Sequence, residues 1–127
     1  MLIAGAGPAG TACGIELRRK NWDCLLVDPA KFPRDKLCGG GLTPKAQKVL
    51  ADMLPDMVYD YLPIRRMTLY MDGDYRGSYA LRNKEIRVVQ RKEFDAQLLY
   101  NSFSLWLVRR ISRHQNLTER ILNRHMY

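Results

Sequence analysis

Cysteine, long apolar runs and internal repeats are scarce or missing in this 127-residue chain, and each gap removes a class of function. The three cysteines, Cys13, Cys24 and Cys38, are odd in number and lack the paired spacing of a metal site. No secretory-type segment precedes them, so free thiols in a reducing, cytoplasmic setting are expected, with no metal. Cys13 and Cys24 fall within apolar stretches and are expected as small core residues. No run approaches the roughly 20 apolar residues that span a bilayer, which argues against a transmembrane helix. No low-complexity linker divides the sequence, and 46% hydrophobic residues suit one globular unit with a single core.

Charge is plentiful but uneven. The net charge is +8, and residues 103–127 supply half of it with five arginines and one glutamate. Lysine, common earlier, is missing from that stretch, while both histidines lie within it. The remainder is therefore only mildly basic, and no nucleic-acid partner is expected.

Against these gaps stands one dense motif. Gly5-Ala6-Gly7-Pro8-Ala9-Gly10 follows the apolar run Met1-Leu2-Ile3-Ala4 and matches the G-x-G-x-x-G turn between a strand and a helix. Gly5 allows the tight turn, Gly7 admits a pyrophosphate to the backbone, and Gly10 lets the helix lie close to the strand. The helix start then offers free N–H groups and a positive dipole end to an anion. An amphipathic helix is expected over 8–20, opened by Pro8 and kept slim by Gly14. Cys24-Leu25-Leu26-Val27-Asp28 reads as a buried parallel strand ending in an acid. Asp28 stands about 20 residues beyond the glycines, where a carboxylate accepts ribose hydroxyls. The same charge would repel a 2′-phosphate, which disfavours NADP and leaves NAD or FAD.

Two later segments separate those cofactors by resemblance. Lys31 to Ala46, with Cys38-Gly39-Gly40-Gly41-Leu42-Thr43-Pro44 at its centre, resembles the FAD-binding segment of the geranylgeranyl reductase family. That family belongs to the wider flavoprotein group of p-hydroxybenzoate hydroxylase. Val88 to Leu99, with Arg91, Phe94, Asp95 and Leu98, resembles a third element of the same family, in the family's order. The resemblance implies that Gly5, Gly7, Pro8, Ala9 and Gly10 line an FAD pyrophosphate and that Asp28 meets the adenosine ribose. It further implies that Cys38, Gly39 and Gly41 stand near the flavin and that Arg91 reaches the cofactor. Cys38 is thus the candidate catalytic residue, with a plain packing role as the alternative. Arg34 and Lys36 are open between a solvated loop and a cofactor contact.

The remaining elements are read locally. Thr43-Pro44 caps and opens a helix that stops before Pro55, and 54–64 reads as a loop. An antiparallel insertion is expected over 65–90. Met67, Leu69 and Met71 share one face of its first strand, Asp72-Gly73 makes the hairpin turn, and Asp74 to Leu81 returns. Ile86 to Gln90 forms another strand before a helix over 92–102, with Phe94, Leu98 and Leu99 inward.

Residues 103–127 depart from the family. The resemblance predicts a strand returning to the parallel sheet, whereas this stretch reads as a divergent basic tail, either a replaced terminus or a surface anchor. The expected fold is α/β, a partial Rossmann-type FAD/NAD(P)-binding domain with a β-hairpin insertion, residues 1–102 forming its N-terminal part. The implied parent is an FAD-dependent oxidoreductase reducing C=C bonds of a polyprenyl lipid, membrane association following from such a substrate. The alternatives are an aromatic monooxygenase or halogenase-like enzyme, and a non-catalytic nucleotide-binding fragment. By itself the chain is expected to be inactive and to hold FAD weakly or not at all.

Overall fold

The computed structural model describes residues 1–102 and, as backbone, residues 107–110. Strand β1 (Leu2–Ala4) leads through the glycine turn into α1 (Pro8–Arg19), and β2 (Leu25–Asp28) follows. β1 pairs with β2 in parallel, Ile3 opposite Leu26. Parallel pairing needs a crossover, and α1 supplies it. Its inner face carries Thr11, Gly14 and Ile15, all buried.

Next come β3 (Gly41–Leu42), α2 (Pro44–Met53), β4 (Leu62–Ile64), the strands β5 (Arg66–Met71) and β6 (Asp74–Ala80), and β7 (Ile86–Val88). β7 lies between β3 and β4, antiparallel to both. β5 and β6 form a separate hairpin. Its turn has positive φ at Asp72 and Gly73, as an Asp-Gly pair at a tight hairpin requires. Thr43 caps α2, its Oγ1 accepting from the Ala46 amide at 3.3 Å.

Helix α3 (Arg91–Ser102) divides the core in two. Ala96 and Leu99 pack with Ala6, Leu26 and Phe32 under the parallel sheet. Phe94 and Leu98 pack with Leu50, Met57 and Val89 under the antiparallel one. Burying these side chains from a single helix ties the parallel sheet to the three-stranded antiparallel one.

Four expectations are corrected. Cys13 is exposed, because it sits two residues beyond buried Thr11, roughly 200° around the helix. Cys24 is only partly buried, since the strand begins after it, at Leu25. Leu62–Ile64 is a strand rather than loop, recruited by pairing to β7. Finally, Leu107–Arg110 forms β8, parallel to β2 with Leu26 opposite Val108. The returning strand is therefore present, giving the order β1-β2-β8. The rest of the expected basic tail, 103–106 and 111–127, lies outside the described residues. Met67, Leu69 and Met71 are all exposed among the described residues.

Gly40 and Gly39 make a clean test of backbone constraint. Gly40 has φ +66°, and a Cβ there would lie 2.1 Å from the Val89 carbonyl oxygen, whereas Gly39 has open space. Gly40→Ala is predicted to lower unfolding free energy by about 2 kcal/mol or more through strain and backbone displacement. Gly39→Ala should stay within about 0.5 kcal/mol in the same urea titration.

Candidate functional site

The glycine turn is set by contacts to β2. The Gly5 amide donates to the Val27 carbonyl at 2.7 Å, and the Ala6 amide donates to Asp28 Oδ2 at 2.7 Å. Gly5 takes φ +104°, open to glycine and strained for other residues. A Cβ on Gly10 would lie 1.8 Å from the Gly5 oxygen, so the helix start can approach the turn only with glycine there.

The start of α1 is prepared for an anion. Gly7 is the N-cap, no side chain caps the helix, Pro8 occupies the first position, and no acid lies in the first turn. Ala9 is exposed beside it. The helix dipole and unpaired amides there favour negative charge.

Arg34 supplies the matching cation. Its Nη2 stands 3.3 Å from where a Gly7 Cβ would be, and its guanidinium lies 4.9 Å from the centre of the Phe32 ring. Phe32 is itself buried in the core, so a planar cation is laid against the glycine turn. Of the two basic loop residues left open by sequence, Arg34 is half-buried at the turn and Lys36 is exposed.

Asp28 is buried with both carboxylate oxygens engaged. Oδ2 accepts from Ala6, and Oδ1 accepts from the Ala30 amide at 2.8 Å. Asp28 thereby holds the turn to the following loop. Sequence spacing located the residue but not this bracing contact.

The Cys38 loop meets α3. Cys38 is exposed, its Sγ accepting from the Gly40 amide at 3.5 Å. That amide, and then the adjacent Arg91 guanidinium, hold the thiol below its ordinary range. Arg91 in turn forks onto Asp95, Nε to Oδ1 at 2.7 Å and Nη2 to Oδ2 at 2.9 Å, and this pairing holds its own value up. Gly39 is exposed, and Gly41 begins β3 opposite Val88. The expected residues thus gather at two places, the turn with Asp28 and the Cys38 loop with Arg91. Arg34 and Asp95 join the two, and their roles depend on tertiary contacts that no local spacing reveals.

Among the described residues no group of acids, cysteines and histidines could hold a metal, and no helix is long and apolar enough to cross a membrane.

Thiol chemistry reads this electrostatics directly. Burial raises the Cys24 thiol, whereas Cys38 is held down. Iodoacetamide is predicted to modify Cys38 faster than Cys24 at neutral pH, its rate reaching a plateau at lower pH, because the thiolate is the nucleophile. Arg91→Met should move that plateau to higher pH, as followed by peptide mass mapping.

No protein-family profile matches the chain. It is 52% identical over 74 residues to a menaquinone reductase of Mycobacterium tuberculosis, a stretch covering 58% of this chain and 18% of that protein. The chain spans between 11% and 25% of the length of the first curated relatives it matches. A flavoprotein/dehydrogenase structure from Cytophaga hutchinsonii superposes with a TM-score of 0.71 at 21% identity, over 86% of this chain and 29% of that one. The myxobacterial chondrochloren halogenase, FAD-dependent, superposes at 0.67 and 21% identity, over 86% and 28%. The chain has the mixed α/β fold of an FAD-binding flavoprotein domain.

Proposed function

We propose that the chain is the nucleotide-binding part of an FAD-dependent oxidoreductase that reduces C=C bonds of a polyprenyl group. One observation carries the cofactor reading: the Arg34 guanidinium lies against Gly7 at a helix start that no side chain caps. A side chain at Gly7 would fill that space, and an anionic group suits it. The residues present therefore fit a dinucleotide pyrophosphate.

In this reading Gly5, Gly7, Pro8, Ala9 and Gly10 line the pyrophosphate, and Arg34 adds charge-assisted hydrogen bonds. Asp28 retains lone pairs for ribose hydroxyls while its amide contacts fix its direction. Gly39 and Gly41 let backbone approach a planar ring, and Arg91 holds the Cys38 thiol at that side. Bound flavin supplies the hydride chemistry. The protein binds, orients and sets the local charge.

The polyprenyl substrate class is supported by the Cys38-Gly39-Gly40-Gly41 segment and by the identity to a menaquinone reductase. A halogenase or monooxygenase reading is favoured by the fold shared with the chondrochloren halogenase. A non-catalytic nucleotide-binding role is the third reading.

The longer enzyme carrying these residues should release FAD rather than NAD on denaturation, identified by absorption and mass. Given a geranylgeranyl lipid and chemically reduced flavin without oxygen, it should return product that has gained hydrogen and no oxygen. Release of NAD would overturn the cofactor assignment. Oxygen or halogen in the product under air, with no reduction, would favour the second reading.

A further inference from the structure

Asp95 is the most deeply buried acid among the described residues, its side chain fully inaccessible. It faces two arginines from two different segments. Arg91 forks onto both oxygens, and Arg34 Nη2 stands 3.7 Å from Oδ2. Side chains of Arg91 and Arg34 are 17% and 20% exposed, so both cations are largely withdrawn from solvent. A buried carboxylate is costly unless paired and hydrogen-bonded, and here the pairing is with two cations rather than one. The cluster keeps one net positive charge, directed to the turn and to the Cys38 loop.

Each cation continues into a different half of the site. Arg34 runs from Asp95 over the Phe32 ring to Gly7. Arg91 runs from Asp95 to the thiol of Cys38. With the carboxylate absent, two neighbouring guanidiniums would repel and turn to solvent. We infer that Asp95 is the positioning residue of the cofactor face, holding Arg34 on the glycine turn and Arg91 beside Cys38 in one fixed arrangement. The FAD half of this inference rests on the flavin reading; the Cys38 half does not.

The charged and polar groups facing Cys38 are Arg91 and Asp95 from α3 and the Gly40 amide from its own loop. This makes the sign of the test informative. Removing the negative charge alone would favour the thiolate. Releasing Arg91 would disfavour it, and the direct Arg91 contact outweighs the more distant Asp95 charge. Asp95→Asn is therefore expected to move the plateau of Cys38 alkylation to higher pH.

The thiol profile uses the 127-residue chain with Cys13→Ser and Cys24→Ser, folding checked by circular dichroism, and the FAD titration uses the longer enzyme carrying these residues. Two readouts are taken for Asp95→Asn: the pH profile of Cys38 modification by iodoacetamide, and the FAD dissociation constant by fluorescence titration. The expected results are an upward shift of the profile and about a tenfold weaker FAD constant, the size of a lost charge-assisted contact. An unchanged or lowered profile overturns the inference, and so does an unchanged FAD constant. Failure of the unsubstituted longer enzyme to bind FAD would count against the flavin reading, while the thiol profile still decides the role of Asp95. Should Asp95→Asn not fold, the pair Asp95→Leu with Arg91→Met replaces the buried ions together, a change often tolerated. It should then bind FAD more weakly than Arg91→Met alone, and equal binding would refute the positioning role.

Discussion

The carboxylate of Asp28 makes contacts on which the remaining geometry depends. One oxygen fixes Ala6 in the glycine turn, and the other fixes Ala30 in the loop after β2. The turn and that loop are separated by the whole of α1, yet a nucleotide site requires them side by side. Once they are joined, Phe32 can enter the core beside Ala6 and Leu26. Arg34, two residues on, is then carried across the ring of Phe32 to Gly7. Buried carboxylate hydrogen bonds to amides are strong because neither partner retains water as an alternative.

Helix α3 completes the arrangement from the other side. Its apolar residues bridge two core clusters, while its first two turns carry Arg91 and Asp95. Packing fixes the helix, the helix fixes the ion cluster, and the cluster places positive charge along the face where the turn opens. The ion cluster is thus held on a frame set by core packing. The exposed β5–β6 hairpin forms a separate two-stranded sheet.

Much of this was legible where the chemistry is local. The turn glycines, the Pro8 start, the Thr43 cap and the Asp72-Gly73 hairpin each carry their reason within a few residues. Asp28 was legible as a strand-end acid, though not as the brace of the turn. Arg34 was left undecided because its neighbour Gly7 is reached only through tertiary folding. Gly40 passed unnoticed between Gly39 and Gly41, since its positive φ and contact with Val89 are properties of the folded chain. Cys13 was misplaced because an apolar stretch says less about facing than the helical period does. The returning strand β8 was obscured by the arginine-rich composition around it, although Leu107 and Val108 suit a strand.

The central claim is that the Gly5–Gly10 turn and Arg34 form one anion-binding face, and amide-resolved NMR addresses it even for weak affinity. FAD titrated into isotope-labelled chain should shift the amides of Gly7, Ala9 and Gly10 and the Arg34 side-chain signal most strongly. Inorganic pyrophosphate should shift a subset of the same signals. Largest shifts instead at Tyr59, Phe94 and Gln97, which line a separate cavity of about 430 Å³, would contradict the account.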